Sequence, residues 1–175
     1  MIRSERLELV WLTADAMDAL LGGRHDELPY AVPPEWPDAH DARFLRLRLR
    51  QLRADPSRAD WGVAAMVLRD GRELIGHIGF HGPPGANARR VVDAVEVGYT
   101  VFPEHRRRGY ATEAVQAMLG YARERGVHRF LASVAPENEP SLRLVRRLGF
   151  VEVGRHWDEE DGEELELELH DPPAG

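Results

Sequence analysis

The chain has 175 residues, 43% of them hydrophobic, which suffices for one domain with its own core. Its formal charge of −7 excludes general affinity for nucleic acid, whose phosphates need a basic surface, and mildly favours cationic or amine-bearing partners. Cysteine is absent, which excludes a thiol nucleophile, a thiolate metal site and a disulfide framework, and is compatible with a reducing cytoplasm.

At the N-terminus Arg3, Glu5, Arg6 and Glu8 interrupt any apolar run. Neither a signal peptide nor a membrane span is expected, and the expected location is cytoplasmic, with no membrane partner. Leu7, Leu9 and Trp11 alternate with Glu8 and Val10, a first strand. Thr13 is a helix cap for Ala14–Leu21, and Gly22-Gly23 ends that helix. Residues 24–40 show no periodicity, hold four prolines and carry Tyr30 and Trp36. This is a loop with two readings: a connection whose aromatics tuck onto the core, or a lip for an acceptor substrate. Residues 44–53 read as a helix, because leucine, arginine and glutamine are strong helix formers, no β-branched residue occurs and Pro56 supplies a stop. Its arginines form a solvated face.

Residues 61–69, Asp70-Gly71 and residues 73–81 give the clearest hairpin signal in the chain. His77 and His81 fall on one face of its second strand but, four residues apart, lie roughly 13 Å from each other, too far to share an ion. No HExxH occurs, and no metal is expected. Residues 82–90 are a loop. In the next strand Val95, Val97, Tyr99 and Val101 alternate with Glu96, Gly98 and Thr100, stopping at Phe102-Pro103. Arg106, Arg107 and Arg108 lead to Gly109, after which Ala111, Val115, Met118 and Ala122 make one helical stripe. The helix therefore opens near Gly109, and its unpaired first N–H groups and positive dipole end form a place for an anion.

Gly126 caps that helix, residues 130–134 form a further strand and residues 138–149 a short helix with Pro140 in its first turn and Gly149 at its end. Residues 150–157 and 165–170 are strands joined through the acidic run Asp158, Glu159, Glu160 and Asp161. That run is either a solvated turn or an attractor for a cationic acceptor. Residues 171–175 are a short tail to a single domain spanning 1–175. Periodicity alone supports a mixed α/β sheet with helices packed on it.

The glycine spacing fits neither GxGxxG nor a P-loop. Arg106-Arg107-Arg108-Gly109-Tyr110-Ala111 resembles the [RQ]-x-x-G-x-[GA] pyrophosphate loop of the GNAT superfamily of acyl-CoA-dependent N-acyltransferases. Asn138-Glu139-Pro140-Ser141, followed by Leu148-Gly149-Phe150, is similar to the superfamily's second signature. The order of elements resembles the GNAT fold over nearly the whole chain, within the branch that acetylates ribosomal-protein N-termini and its relatives acting on small amines. The resemblance implies a mostly antiparallel central sheet of about seven strands, a splayed central pair and helices on both faces. It also implies acetyl-CoA as cosubstrate, with pantetheine along the backbone near Tyr99 and Val101. The N–H groups from Arg107 through Gly109, Tyr110 and Ala111 to Thr112 wrap the pyrophosphate, with one or two of Arg106 to Arg108 turned to solvent or to the ribose phosphate.

The implied reaction is direct attack of a neutral amine on the thioester, the acceptor being a small molecule or a protein N-terminus and the protein a monomer or homodimer. Glu96 is the expected base, needing a raised pKa or a water relay; the competing reading pairs it with an arginine or with water. The backbone N–H near Val101 is the implied oxyanion donor. Many members carry a tyrosine where Val145 stands. In the ribosomal-type branch a serine at the position of Ser141 is the leaving-group acid; it alternatively caps the helix. Asn138 either bonds the coenzyme or fixes its turn. A second reading, a non-catalytic acyl-CoA-binding module of the same fold, rests on that missing tyrosine.

Overall fold

In the computed structural model, which describes residues 1–158 and 162–171, a two-residue strand β1 (Ile2–Arg3) precedes the alternating segment, which forms β2 (Leu7–Trp11). Helix α1 (Ala14–Leu21) starts where the Thr13 hydroxyl accepts the Ala16 N–H and closes at Gly22. Helix α2 (Ala39–Ala54) starts at Ala39 rather than at 44, because Asp38 accepts the Asp41 N–H and caps a polar first turn that the apolar period does not mark. Leu45 and Leu49 are buried, while Arg46 and Arg50 stay in solvent. Strands β3 (Val63–Leu68) and β4 (Leu74–Phe80) form the expected hairpin, turned by Gly71 and Arg72, both at positive φ.

There follow β5 (Ala94–Val101), α3 (Tyr110–Arg123), β6 (Arg129–Val134), α4 (Glu139–Arg147), β7 (Val151–Asp158) and β8 (Gly162–His170). Gly126, at φ +78°, closes the end of α3 as expected: the Val127 N–H reaches back to Ala122 O at 3.0 Å. The sheet has eight strands rather than about seven, β1 being the addition, in the order β1-β2-β3-β4-β5-β6-β8-β7. Glu159, Glu160 and Asp161 of the acidic run, and residues 172–175 of the tail, lie outside the described residues. Among the described residues no helix is long and apolar enough to cross a membrane.

Helices cover both faces. On one, Val115 and Met118 of α3 and Val145 of α4 pack on Val95, Val97, Phe130 and Ala132. On the other, Met17, Leu20, Leu45 and Leu49 of α1 and α2 pack on Val63, Ala65 and Val67, with Tyr30 and Trp36 of the 24–40 loop tucked into the same cluster. At roughly 1.5–3 kcal/mol for each large apolar side chain removed from water, these layers hold the sheet from both sides.

The centre of the sheet is where it opens. Every neighbouring pair is antiparallel except β5 and β6, which run parallel and pair only at Ala94↔Arg129, Val95↔Phe130 and Glu96↔Leu131. Beyond that point β5 stays with β4 as far as Val101, and β6 stays with β8 as far as Val134. Each strand follows its outer neighbour, so their inner edges part. The parity of the ladder fixes what faces the gap. Phe102 N–H donates to Ile75 O and Glu96 O accepts from His81 N–H, so the even-numbered residues of β5 spend their backbone groups on β4. Val97, Tyr99 and Val101 therefore turn theirs toward the gap.

Candidate active site

Two clefts meet at this gap. The outer one, ≈ 690 Å³, runs from Tyr99 and Val101 past Arg106, Arg107 and Gly109 to Thr112, with Asn138, Ser141, Arg143 and Arg147 on its far wall. The inner one, ≈ 360 Å³, lies between β5 and β6 and is lined by small residues including Gly98, Ala132 and Ser133. Tyr99, Asn138 and Ser141 border both. Together they suit a long, narrow ligand entering from the N-terminus of α3.

The turn before α3 is shaped by its backbone. Gly109 is the N-cap, at φ +81°, and Arg107 is also left-handed, at φ +62°. A side chain is strained at Gly109 by its φ, whereas the space beside it holds only the flexible end of Arg6, 3.4 Å from a Cβ. Among the described residues, the backbone N–H groups of residues 107–112 have no protein acceptor, while the next one, Glu113 N–H, returns to Gly109 O at 3.1 Å. Six successive donors converge where the helix dipole is positive. Of the three arginines, Arg106 donates from Nε to Val101 O at 2.9 Å, Arg107 lines the cleft, and Arg108 is exposed without lining it. Arg143 and Arg147 had no sequence signal beyond their spacing on α4 and were not anticipated.

The turn is braced from below. Arg6, between β1 and β2, donates to Arg108 O at 2.9 Å and to Glu113 Oε2 at 2.7 Å, and its guanidinium lies 4.6 Å over the Tyr110 ring. Ser4 Oγ donates to Glu113 Oε1 at 2.7 Å. The N-terminal segment thereby fixes the loop and the first turn of α3 in one piece.

On α4, Asn138 accepts the Ser141 N–H at 3.3 Å and is the N-cap. Asn138 thereby fixes the turn while also bordering both clefts, and Ser141 is not the cap. Val145 is fully buried in the core beneath. The Tyr99 hydroxyl is buried and, among the described residues, has no hydrogen-bond partner of good geometry. Burial raises its pKa, and the Ser141 side chain is close enough to pull it partly back.

Glu96 stands on the opposite face of β5, 1% exposed. It accepts from Ser133 Oγ at 2.6 Å and from Ala88 N–H at 2.8 Å, and lies 3.4 Å from His81 Nδ1. Burial pushes its carboxyl up, but His81, Ser133 and the Ala88 N–H outweigh that and hold the pKa at about 2. The carboxyl is thus lowered rather than raised, which leaves the water relay as the route by which it could serve as base, and its partner is a histidine rather than an arginine or water. His77 turns instead to Asp41 at 3.3 Å. Among the described residues no group of three or more His, Cys, Asp or Glu could hold a metal ion.

Comparison with known proteins adds sequence likeness to this geometry. The family model described as an acetyltransferase (GNAT) domain matches residues 6–151. The chain is 38% identical over 90 residues to the uncharacterized N-acetyltransferase YnaD of Bacillus subtilis (strain 168), which is 51% of this chain and 49% of YnaD. It thus spans about half the length of that relative. The crystal structure of an acetyltransferase (GNAT family) from Bacillus anthracis shares the fold with a TM-score of 0.64 at 23% identity, covering 97% of each chain. So does RimL, a ribosomal L7/L12 alpha-N-protein acetyltransferase in complex with coenzyme A, with a TM-score of 0.62 at 17% identity and 95% of each chain covered.

Proposed function

The chain belongs to the GNAT acetyltransferase family, and from that premise we propose that it transfers an acetyl group from acetyl-CoA to a primary amine, on a small molecule or a protein N-terminus. The observation that carries this is the run of six unpaired backbone N–H groups over residues 107–112 at the mouth of a cleft that continues into the parted sheet. The run suits a pyrophosphate, and Arg106, Arg107, Arg143 and Arg147 add positive charge around it. Pantetheine carries amides, and Tyr99 and Val101 offer it a strand edge. The gap then receives the thioester near Gly98, where an edge N–H of Tyr99 or Val101 supports the oxyanion. Ser141, freed from capping and beside Tyr99, supplies the departing thiolate with a proton. Glu96 belongs to the apparatus that removes the amine proton.

The coenzyme grip is tested at Gly109. An L-residue at φ +81° costs on the order of 1–2 kcal/mol, and a branched one intrudes on the donors, so Gly109→Val is expected to weaken acetyl-CoA binding about tenfold or more by calorimetry. Unchanged affinity removes the claim. Titrating thiol released from acetyl-CoA with an amine panel separates transfer from a binding-only module of the same fold.

A further inference from the structure

We propose that His81 is the catalytic residue that takes the amine proton and that Glu96 is its positioning residue, both working from the sheet face opposite α3 and α4. This rests on the acetyl-transfer reading above.

The geometry divides the two roles. Glu96 is 1% exposed, one oxygen engaged by Ser133 and the other by the Ala88 N–H, so its carboxylate has no route to a substrate. The His81 side chain is 43% exposed and beside it. His81 directly follows β4, and its backbone N–H donates to Glu96 O at 2.9 Å, which extends the β4–β5 ladder and lays the imidazole against the carboxylate. With Nδ1–H directed at Glu96 Oε2, the neutral ring keeps its lone pair on Nε2. That nitrogen lies over Gly98: a Cβ there would come 3.4 Å from it. His81 itself lines the small cavity it shares with Arg48 and Arg58, while Gly98 lines the inner cleft just past the last paired residues of β5 and β6 and puts no side chain between Nε2 and that cleft.

Ser133 donates to Glu96 and not to the imidazole, so the trio is not arranged to activate a serine nucleophile. Among the described residues, Arg48 of α2 and Arg58 of the turn Pro56–Trp61 face this corner and donate to the His81 carbonyl at 3.0 and 3.3 Å, Arg58 also pairing with Asp55 at 3.6 Å. Burial, then Arg58, lowers the Arg48 pKa to about 10, still cationic near neutral pH. Glu96 is thus the anion that the ring faces, with two cations on its backbone.

The step balances. The nitrogen of a neutral amine bonds to the thioester carbon, and one N–H proton passes to His81 Nε2. Collapse breaks the C–S bond, and the thiolate regains a proton while His81 gives its own back to solvent. Amine and acetyl-CoA yield amide and thiol with no net proton.

The test uses the full chain, acetyl-CoA and a panel of one free-N-terminus peptide, one polyamine, one aminoglycoside and one amino acid. His81→Ala is expected to lower turnover by about 10²–10⁴-fold with acetyl-CoA affinity unchanged, and added imidazole to restore part of it. Nitrogen-15 NMR of the unliganded wild type is expected to show the neutral ring protonated at Nδ1, and Glu96→Gln to abolish that preference. His81→Gln guards against misfolding of the alanine variant. Turnover in both variants within about twofold of wild type, or a neutral wild-type ring protonated at Nε2, overturns this inference alone. A wild type that releases thiol with none of the amines overturns the transferase reading and this inference with it.

Discussion

Ser141 sits where two demands on a serine meet, and the fold assigns one of them elsewhere. Asn138 caps α4, so the Ser141 hydroxyl is not needed to hold the helix start. It lies instead at the junction of the two clefts, beside a buried Tyr99 hydroxyl that has no partner of good geometry among the described residues. A buried hydroxyl lacking a partner is costly, which a ligand atom reaching the junction relieves. Ser141→Ala is therefore expected to lower kcat about tenfold or more while leaving acetyl-CoA affinity nearly unchanged, as read by steady-state kinetics beside calorimetry. Full turnover in the variant makes the residue structural. The same scale shows what the sequence hid. His81 stood out only as half of an unconvincing metal pair, because its partner Glu96 is reached across a loop. The available signal was parity: an antiparallel β4–β5 pair sets His81 opposite Glu96 on the same face.

Among elements, the brace beneath the turn before α3 joins parts distant in the chain. Arg6 ties Arg108 O and Glu113 together and stacks on Tyr110. Hydrogen bonds of a charged donor are worth about 1.5–3 kcal/mol when well formed, less at this exposed site. Arg6→Ala is expected to weaken acetyl-CoA binding about three- to tenfold in calorimetry without moving kcat; equal affinity would mean that the turn holds itself. Most element positions were legible because local chemistry marks them. Thr13 and Gly22 bound α1, alternation marks β2 and β5, and Asp70-Gly71 marks the first hairpin, although the structure sets the two positive φ angles one residue later, at Gly71 and Arg72. What stayed hidden was non-local. Two-residue β1 carries too little pattern, and the pairing order that puts β8 between β6 and β7 is set by contacts with no local signature. The turn before α3 was legible as a motif, but that Arg143 and Arg147 of α4 line the same cleft is set by packing alone.

For the whole molecule, the buried carboxylate makes stability a function of pH. The Glu96 carboxyl titrates at about 2 in the folded chain, against roughly 4.3 in an unfolded one. A depressed carboxyl contributes stability that is present above the unfolded value and is lost as pH falls from there through the folded value. A gap of about two units corresponds to on the order of 3 kcal/mol. Denaturant unfolding at about pH 6 and about pH 3 is expected to show wild type losing more stability than Glu96→Gln, with the excess confined to that window. Repulsion among the 23 arginines and the 8 histidines at acid pH is common to both proteins and cancels in the comparison. Parallel losses would mean that the trio contributes no net stability.

The parting of β5 from β6 also sets a rule of thickness. Backbone edges at the rim of a sheet invite strands from other molecules. Here two such edges lie inside, in a slot lined by Gly98, Ala132 and Ala135 and closed at one end by the three paired positions. A polypeptide strand carries side chains to both faces, whereas the small residues along this slot leave room for a slim amide-bearing tether, so bulk as well as hydrogen bonding bears on what fits.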